Sequence, residues 1–142
     1  MKQTIPLQTI RYVLEHAGSP VVLIGSLNLA LQGIDINFDD VDFLTDDVGV
    51  KHFAGLLDVA PRSPHGFLEC WGEYRSLVVN FTSFENNSLR IPITVSNTTD
   101  IILEGVTIPH LNLESELSFY KMAGRDKDKA KVQLIQGELS QR

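Results

Sequence analysis

The stretch that most constrains this chain is residues 21–44, VVLIGSLNLALQGIDINFDDVDFL. The apolar run Val21, Val22, Leu23, Ile24 is short, β-branched and cut off by Gly25-Ser26, which predicts a buried strand. Leu27, Leu29, Ala30 and Leu31 fit a two-turn helix beginning at Ser26, a good N-cap residue, and Gly33 is where that helix should stop. A second strand follows at Asp40-Val41-Asp42-Phe43-Leu44. Side chains alternate faces along a strand, so Asp40 and Asp42 point the same way, roughly 7 Å apart at Cα.

Two carboxylates on one strand face repel each other unless a cation lies between them. Backbone N–H groups at the start of a helix, here Gly25, Ser26 and Leu27, suit an anion. A carboxylate pair beside a phosphate-sized anion site suggests a divalent ion held against phosphate oxygens. The plainer alternative is a surface turn with solvated aspartates. Other chemistries fit less well. Asp35-Ile36-Asn37-Phe38-Asp39 opens like a calcium loop, but Asp40, Asp42 and Asp46 stand where Gly, an apolar residue and Glu belong. The Gly-Ser turn lacks the Lys of a P-loop and the spaced glycines of a dinucleotide fingerprint. His16, His52, His65 and His110 are scattered without zinc-ligand spacing, and Ser26 lacks the glycine of a nucleophile elbow.

Gly25-Ser26, thirteen intervening residues and Asp40-Val41-Asp42 resemble the signature of the minimal nucleotidyltransferases of the DNA polymerase β superfamily. Near the C-terminus, LSFYKMAGRDKD (117–128) is similar to the helix pair that many such proteins carry. The resemblance implies an α+β fold, a mixed β-sheet with flanking helices and a C-terminal helix pair, as one domain over 1–142. It implies transfer of NMP from a nucleoside triphosphate to a hydroxyl on a small molecule, RNA or protein. Asp40 and Asp42 would hold Mg²⁺ or Mn²⁺, Gly25 and Ser26 the β/γ-phosphates, and Lys121 and Arg125 further phosphate oxygens.

The same resemblance calls for a third carboxylate on a later strand, to complete the metal site and help deprotonate the acceptor. The strand expected there is Leu77-Val78-Val79-Asn80-Phe81, with Asn80 in the place of Asp. An amide can offer its carbonyl oxygen but carries no charge and takes no proton. Glu69, Glu73 and Glu85 are the other sources within reach of the sequence. Asn37-Phe38-Asp39 also replaces the Ser or Thr and basic residue that the family often shows before its Asp pair. Two functions from different classes follow: a metal-dependent nucleotidyltransferase, or a catalytically inactive nucleotide-binding or protein-interaction module, such as one half of a toxin–antitoxin pair.

The rest of the chain supplies the setting. At 142 residues it is long enough for one core. A net charge of −6 argues against general nucleic-acid binding, although Lys121, Arg125, Lys127, Lys129 and Lys131 make one local basic cluster. Of these, Lys129 and Lys131 read as a solvated helix face. No apolar run has membrane-span length, and one cysteine with no signal-like start points to the cytoplasm. Helices are expected from Pro6 to Ala17, after Asp46, from Asn112 to Gly124, and from Asp126 to about Leu139. A strand is expected over 89–95 despite Pro92, and a hairpin about Glu104-Gly105.

Overall fold

The computed structural model describes residues 3–142. In chain order the elements are α1 (Leu7–His16), β1 (Val22–Ile24), α2 (Gly25–Leu31), β2 (Asp40–Thr45), α3 (Asp47–Leu57) and β3 (Glu69–Tyr74). They continue with β4 (Leu77–Ser83), β5 (Thr98–Leu103), β6 (Val106–Leu111), α4 (Leu113–Ala123) and α5 (Asp126–Ser140). The strands form one six-stranded mixed sheet in the order β3-β4-β2-β1-β6-β5. β2 runs parallel to β4 and β1 parallel to β6; the other pairings are antiparallel. This is the α+β, nucleotidyltransferase-like arrangement, with the C-terminal helix pair packed together as α4 and α5.

Strand alternation separates the two faces. Val41 and Phe43 of β2 and Val79 and Phe81 of β4 point into the main core, where α1 contributes Ile10 and Val13 and α3 contributes Val50 and Phe53. Phe53, Phe81 and Phe43 stack in series, with centroids 4.1 and 5.7 Å apart. The opposite face carries Asp40 and Asp42 on β2 and Asn80 and Thr82 on β4. There Val22, Ile24, Leu44 and Leu111 form a smaller apolar layer. A third cluster, Leu29, Ile34, Leu113, Tyr120 and Ile135, fastens α2 to the C-terminal helices.

Local signals set most boundaries. Asp46 caps α3 by accepting from the Gly49 N–H, and Asn112 caps α4 through Ser115. Both β-hairpins turn on pairs of positive-φ residues, Arg75-Ser76 and Glu104-Gly105, the geometry that two-residue hairpin loops require. The expected strand over 89–95 does not form: 84–97 is irregular and crosses the carboxylate face. Asparagines satisfy this loop where a ladder would have done so. Asn87 donates to the Ser83 carbonyl and accepts from the Leu89 N–H, and Asn97 bonds Pro92 and Thr94. Pro92 has no N–H to offer a ladder. Among the described residues no helix is long and apolar enough to cross a membrane.

Candidate functional site

The parallel register of β2 and β4 builds the centre of the site. It sets Asp40 opposite Val78 and Asp42 opposite Asn80, so Asn80 shares a face with both aspartates. The Asn80 side-chain amide donates to Asp40 Oδ2 at 3.0 Å and to Asp42 Oδ1 at 2.7 Å. One neutral NH₂ group therefore bridges two carboxylates. It does not neutralise them. Burial, followed by the neighbouring Asp40 charge, raises the Asp42 carboxyl from 3.8 to about 6, even though the Asn80 bond opposes the shift.

Behind the pair lies the Gly25 turn. A Cβ on Gly25 would stand 2.6 Å from Asp42 Oδ2, and its φ is +80°, so two independent constraints select glycine here. The Gly25 N–H points the other way and donates to Glu116 Oε2 at 2.8 Å. Glu116, completely buried on α4, also accepts from the Asn28 amide at 3.0 Å and from Arg90 at 3.1 Å. Arg90 in turn lies over the Phe119 ring, 3.4 Å from its centroid. The anion at the start of α2 is thus the protein's own Glu116, and the Gly25 amide is already engaged. Ser26 remains at the cleft.

The cleft beside the aspartates has a volume of about 430 Å³. Asp40, Asp42 and Ser26 line it from β2 and α2, and Arg125, Lys127 and Lys131 from the start of α5. Arg125 opens α5 and holds Asp128 with two bonds, 2.7 Å from Nε and 3.0 Å from a terminal nitrogen. Burial would push the Asp128 carboxyl up, but Arg125 outweighs it and holds the group below its ordinary range. Lys131 is shifted down by partial burial and by Lys127 and Arg125 nearby, and lies 4.9 Å from the Tyr120 ring centroid. The Tyr120 hydroxyl is pushed strongly up, first by burial and then by Glu116, so it stays protonated at neutral pH.

Of the two basic residues the sequence singled out, Arg125 lines the cleft and Lys121 does not. Lys121 is exposed and absent from the cleft, because Glu116 and Tyr120 define the inward side of α4 and Lys121 lies a further 100° round it. Lys131, expected to be solvated, is half-buried and lines the cleft, one turn beyond Lys127. Glu85 accepts from the Asp47 N–H at the start of α3, away from the pair. Glu73 is exposed on the edge strand β3, opposite Val78, and Glu69 lies opposite Thr82, two pairs along from Asn80. Among the described residues no three His, Cys, Asp or Glu side chains converge. Sequence reading missed Arg90, Glu116 and Phe119. The only local hint was a Glu on the apolar side of a helix.

No protein-family model matches the chain, and no curated protein matches it by sequence. Its structure is similar to the crystal structure of a putative nucleotidyltransferase from Thermotoga maritima, with a TM-score of 0.64 and 23% identity over 96% of this chain and 91% of that one. The likeness is one of fold: both chains share the nucleotidyltransferase-like architecture along nearly their whole lengths.

Two outcomes follow from the buried charges. Glu116→Gln leaves Arg90 without its counter-charge and should lower stability by about 3–5 kcal/mol in denaturant melts; adding Arg90→Met should recover part of that loss. Asp42 acts with the opposite pH sense to an ordinary paired carboxylate. Its folded pKa of about 6 exceeds its ordinary 3.8, so its protonated form favours the fold at low pH, and that advantage is lost as pH rises from about 4 to 6. In metal-free buffer Asp42→Asn should therefore gain on wild type across that window, by on the order of 3 kcal/mol at most. A pH-independent difference between the two melting curves would contradict this.

Proposed function

We infer that the protein is a metal-dependent nucleotidyltransferase-like protein, which binds a nucleoside triphosphate and transfers NMP to a hydroxyl acceptor. The observation that carries this reading is the cleft itself: Asp40 and Asp42 line it together with Arg125, Lys127 and Lys131, around a space of about 430 Å³. Neighbouring groups of acidic and basic side chains suit a polyanion carrying a divalent cation, the cation meeting the carboxylates and the polyanion the basic residues. The fold it shares with the Thermotoga maritima protein is consistent with this.

The donor set fits Mg²⁺ or Mn²⁺. Two carboxylate oxygens face a common point with only an amide between them, and Mg²⁺ is commonly bound by one or two carboxylates together with substrate phosphates. The raised Asp42 carboxyl marks charge that a cation would relieve. When bound, the ion would neutralise phosphate oxygens as charge moves onto the leaving group. Asp40 and Asp42 would hold it. Lys127 and Lys131 take the remaining phosphate oxygens, with Ser26 as a hydroxyl donor, while Arg125 stays paired with Asp128 at the edge of the cleft. Transfer forms a bond from the acceptor oxygen to the α-phosphorus and breaks the bond to the pyrophosphate oxygen. Pyrophosphate leaves with the electron pair, and the acceptor's proton passes to water.

Asn80 favours a second reading, that of a module that binds nucleotide or a protein partner and turns over little. It occupies the strand position beside the pair, and its amide cannot take the acceptor's proton. General-base assistance is typically worth on the order of 10²–10⁴ in rate, so its loss slows transfer without weakening binding.

Mg²⁺ with ATP, CTP, GTP or UTP should raise the melting temperature, and Asp40→Asn with Asp42→Asn should abolish the shift. Calorimetry should then show Lys131→Ala and Lys127→Ala each weakening nucleotide binding by about 1–3 kcal/mol, with Lys121→Ala unchanged. Equal affinities for all three would remove the basic wall from the site. A labelled-nucleotide assay separates the two readings. Wild type should transfer slowly and Asn80→Asp at least about tenfold faster, equivalent to about 1.4 kcal/mol of barrier. Rapid wild-type turnover that survives Asn80→Ala would assign proton acceptance to another group.

A further inference from the structure

A second cavity, of about 500 Å³, opens off the first, and the two share Ile24, Thr82, Arg90, Phe119 and Arg125. Its character is different. Phe67 and His65, stacked with centroids 6.0 Å apart, stand on the 61–68 loop, and Phe119 and Leu89 supply further apolar wall. Among the described residues it is lined by no lysine. Its two guanidinium groups are already committed, Arg90 to Glu116 and Arg125 to Asp128. Glu69 is the one carboxylate on its wall. Among the described residues Glu69 forms no ion pair; it also borders an outer cavity that it shares with Arg62, its partner across the isolated bridge. Asn86 and Ser88 add neutral hydrogen-bonding groups at the rim.

We propose that this cavity is the acceptor site, and that it takes a small hydroxyl compound with an apolar or aromatic body and a positively charged amine, the amine held by Glu69. The argument is charge complementarity within an apolar enclosure. A lone carboxylate among aromatic walls attracts a cation and repels an anion, while the ring faces accept both an apolar body and an ammonium group. The triphosphate goes to the lysine-lined cleft, which leaves the aromatic cavity for the second substrate. The two spaces meet beside Asp42, so a hydroxyl on a molecule bound by Glu69 lies along the opening toward the transferring phosphorus. Assignment of the occupant as acceptor rests on the nucleotidyl-transfer reading; the chemistry of the cavity does not.

Three probes of one shape and different charge test this: tyramine, the neutral 4-hydroxyphenylethanol and the anionic 4-hydroxyphenylacetate. In titrations followed by protein NMR, wild type should bind tyramine about fivefold more tightly than 4-hydroxyphenylacetate, with the neutral compound between them. Glu69→Gln should bring tyramine to the level of the neutral probe. The preference for tyramine should persist when Asp40→Asn and Asp42→Asn are both present, and at saturating Mg²⁺ and ATP. Equal binding of the three probes, or no tyramine binding at about 10 mM, overturns the proposal. Displacement of tyramine by adenosine also overturns it, by assigning the cavity to the nucleobase. Absence of an ATP-dependent melting shift counts against nucleotidyl transfer alone, and the tyramine result then still decides the ligand class of the cavity.

Discussion

Much of this structure hangs on the Glu116 carboxylate. It is wholly buried, and it accepts hydrogen bonds from the turn after β1, from α2 and from the loop that carries Arg90. A buried charge is tolerable only when it is paired and its lone pairs are satisfied, and here both conditions are met. The bonds draw together elements that strand pairing leaves apart. Fixing Gly25 fixes the backbone against which Asp42 rests, where even a methyl group would not fit. Fixing Arg90 holds the Phe119 ring, which walls both cavities.

The use of Glu116 at the start of α2 changes how a bound phosphate would be held. Helix-terminal amides commonly take an anion from outside the chain. Here the chain supplies the anion, and the positive charge at the cleft comes from the start of α5. Arg125, Lys127 and Lys131 line the same cleft as Asp40 and Asp42, so a protein with a net charge of −6 still gathers basic side chains at one place. Net charge describes the far field of a molecule. A site is decided by which side chains a fold brings within reach of one another.

Asn80 gives the central strands their chemical ambiguity. Its position is fixed by backbone pairing, and its two amide hydrogens satisfy one oxygen on each aspartate. Such bonds steady the carboxylates without discharging them, and Asp42 remains easier to protonate than an ordinary aspartate. One residue thus bonds both carboxylates and offers no group that can accept a proton.

The sequence by itself determined the features that depend on neighbours within about four positions. The strand, glycine turn and helix over 21–31, the shared face of Asp40 and Asp42, the Asn112 cap and the Glu104-Gly105 hairpin are all of this kind, because dihedral preference and side-chain period act locally. Resemblance added the fold and the significance of Asn80. Only the tertiary structure decided that Glu116 meets Gly25 across 91 residues and Arg90 across 26, since no local pattern encodes such partners. It decided too that Lys131, and not Lys121, lines the cleft with the aspartates: the packing of α4 and α5 sets their rotation about the cleft, and a basic run on a helix does not reveal which side will be covered. The apolar alternation over 89–95 read as a strand. Arg90 is instead drawn inward to a buried charge, and asparagine side chains bond the surrounding backbone, so tertiary contacts outweighed local propensity there.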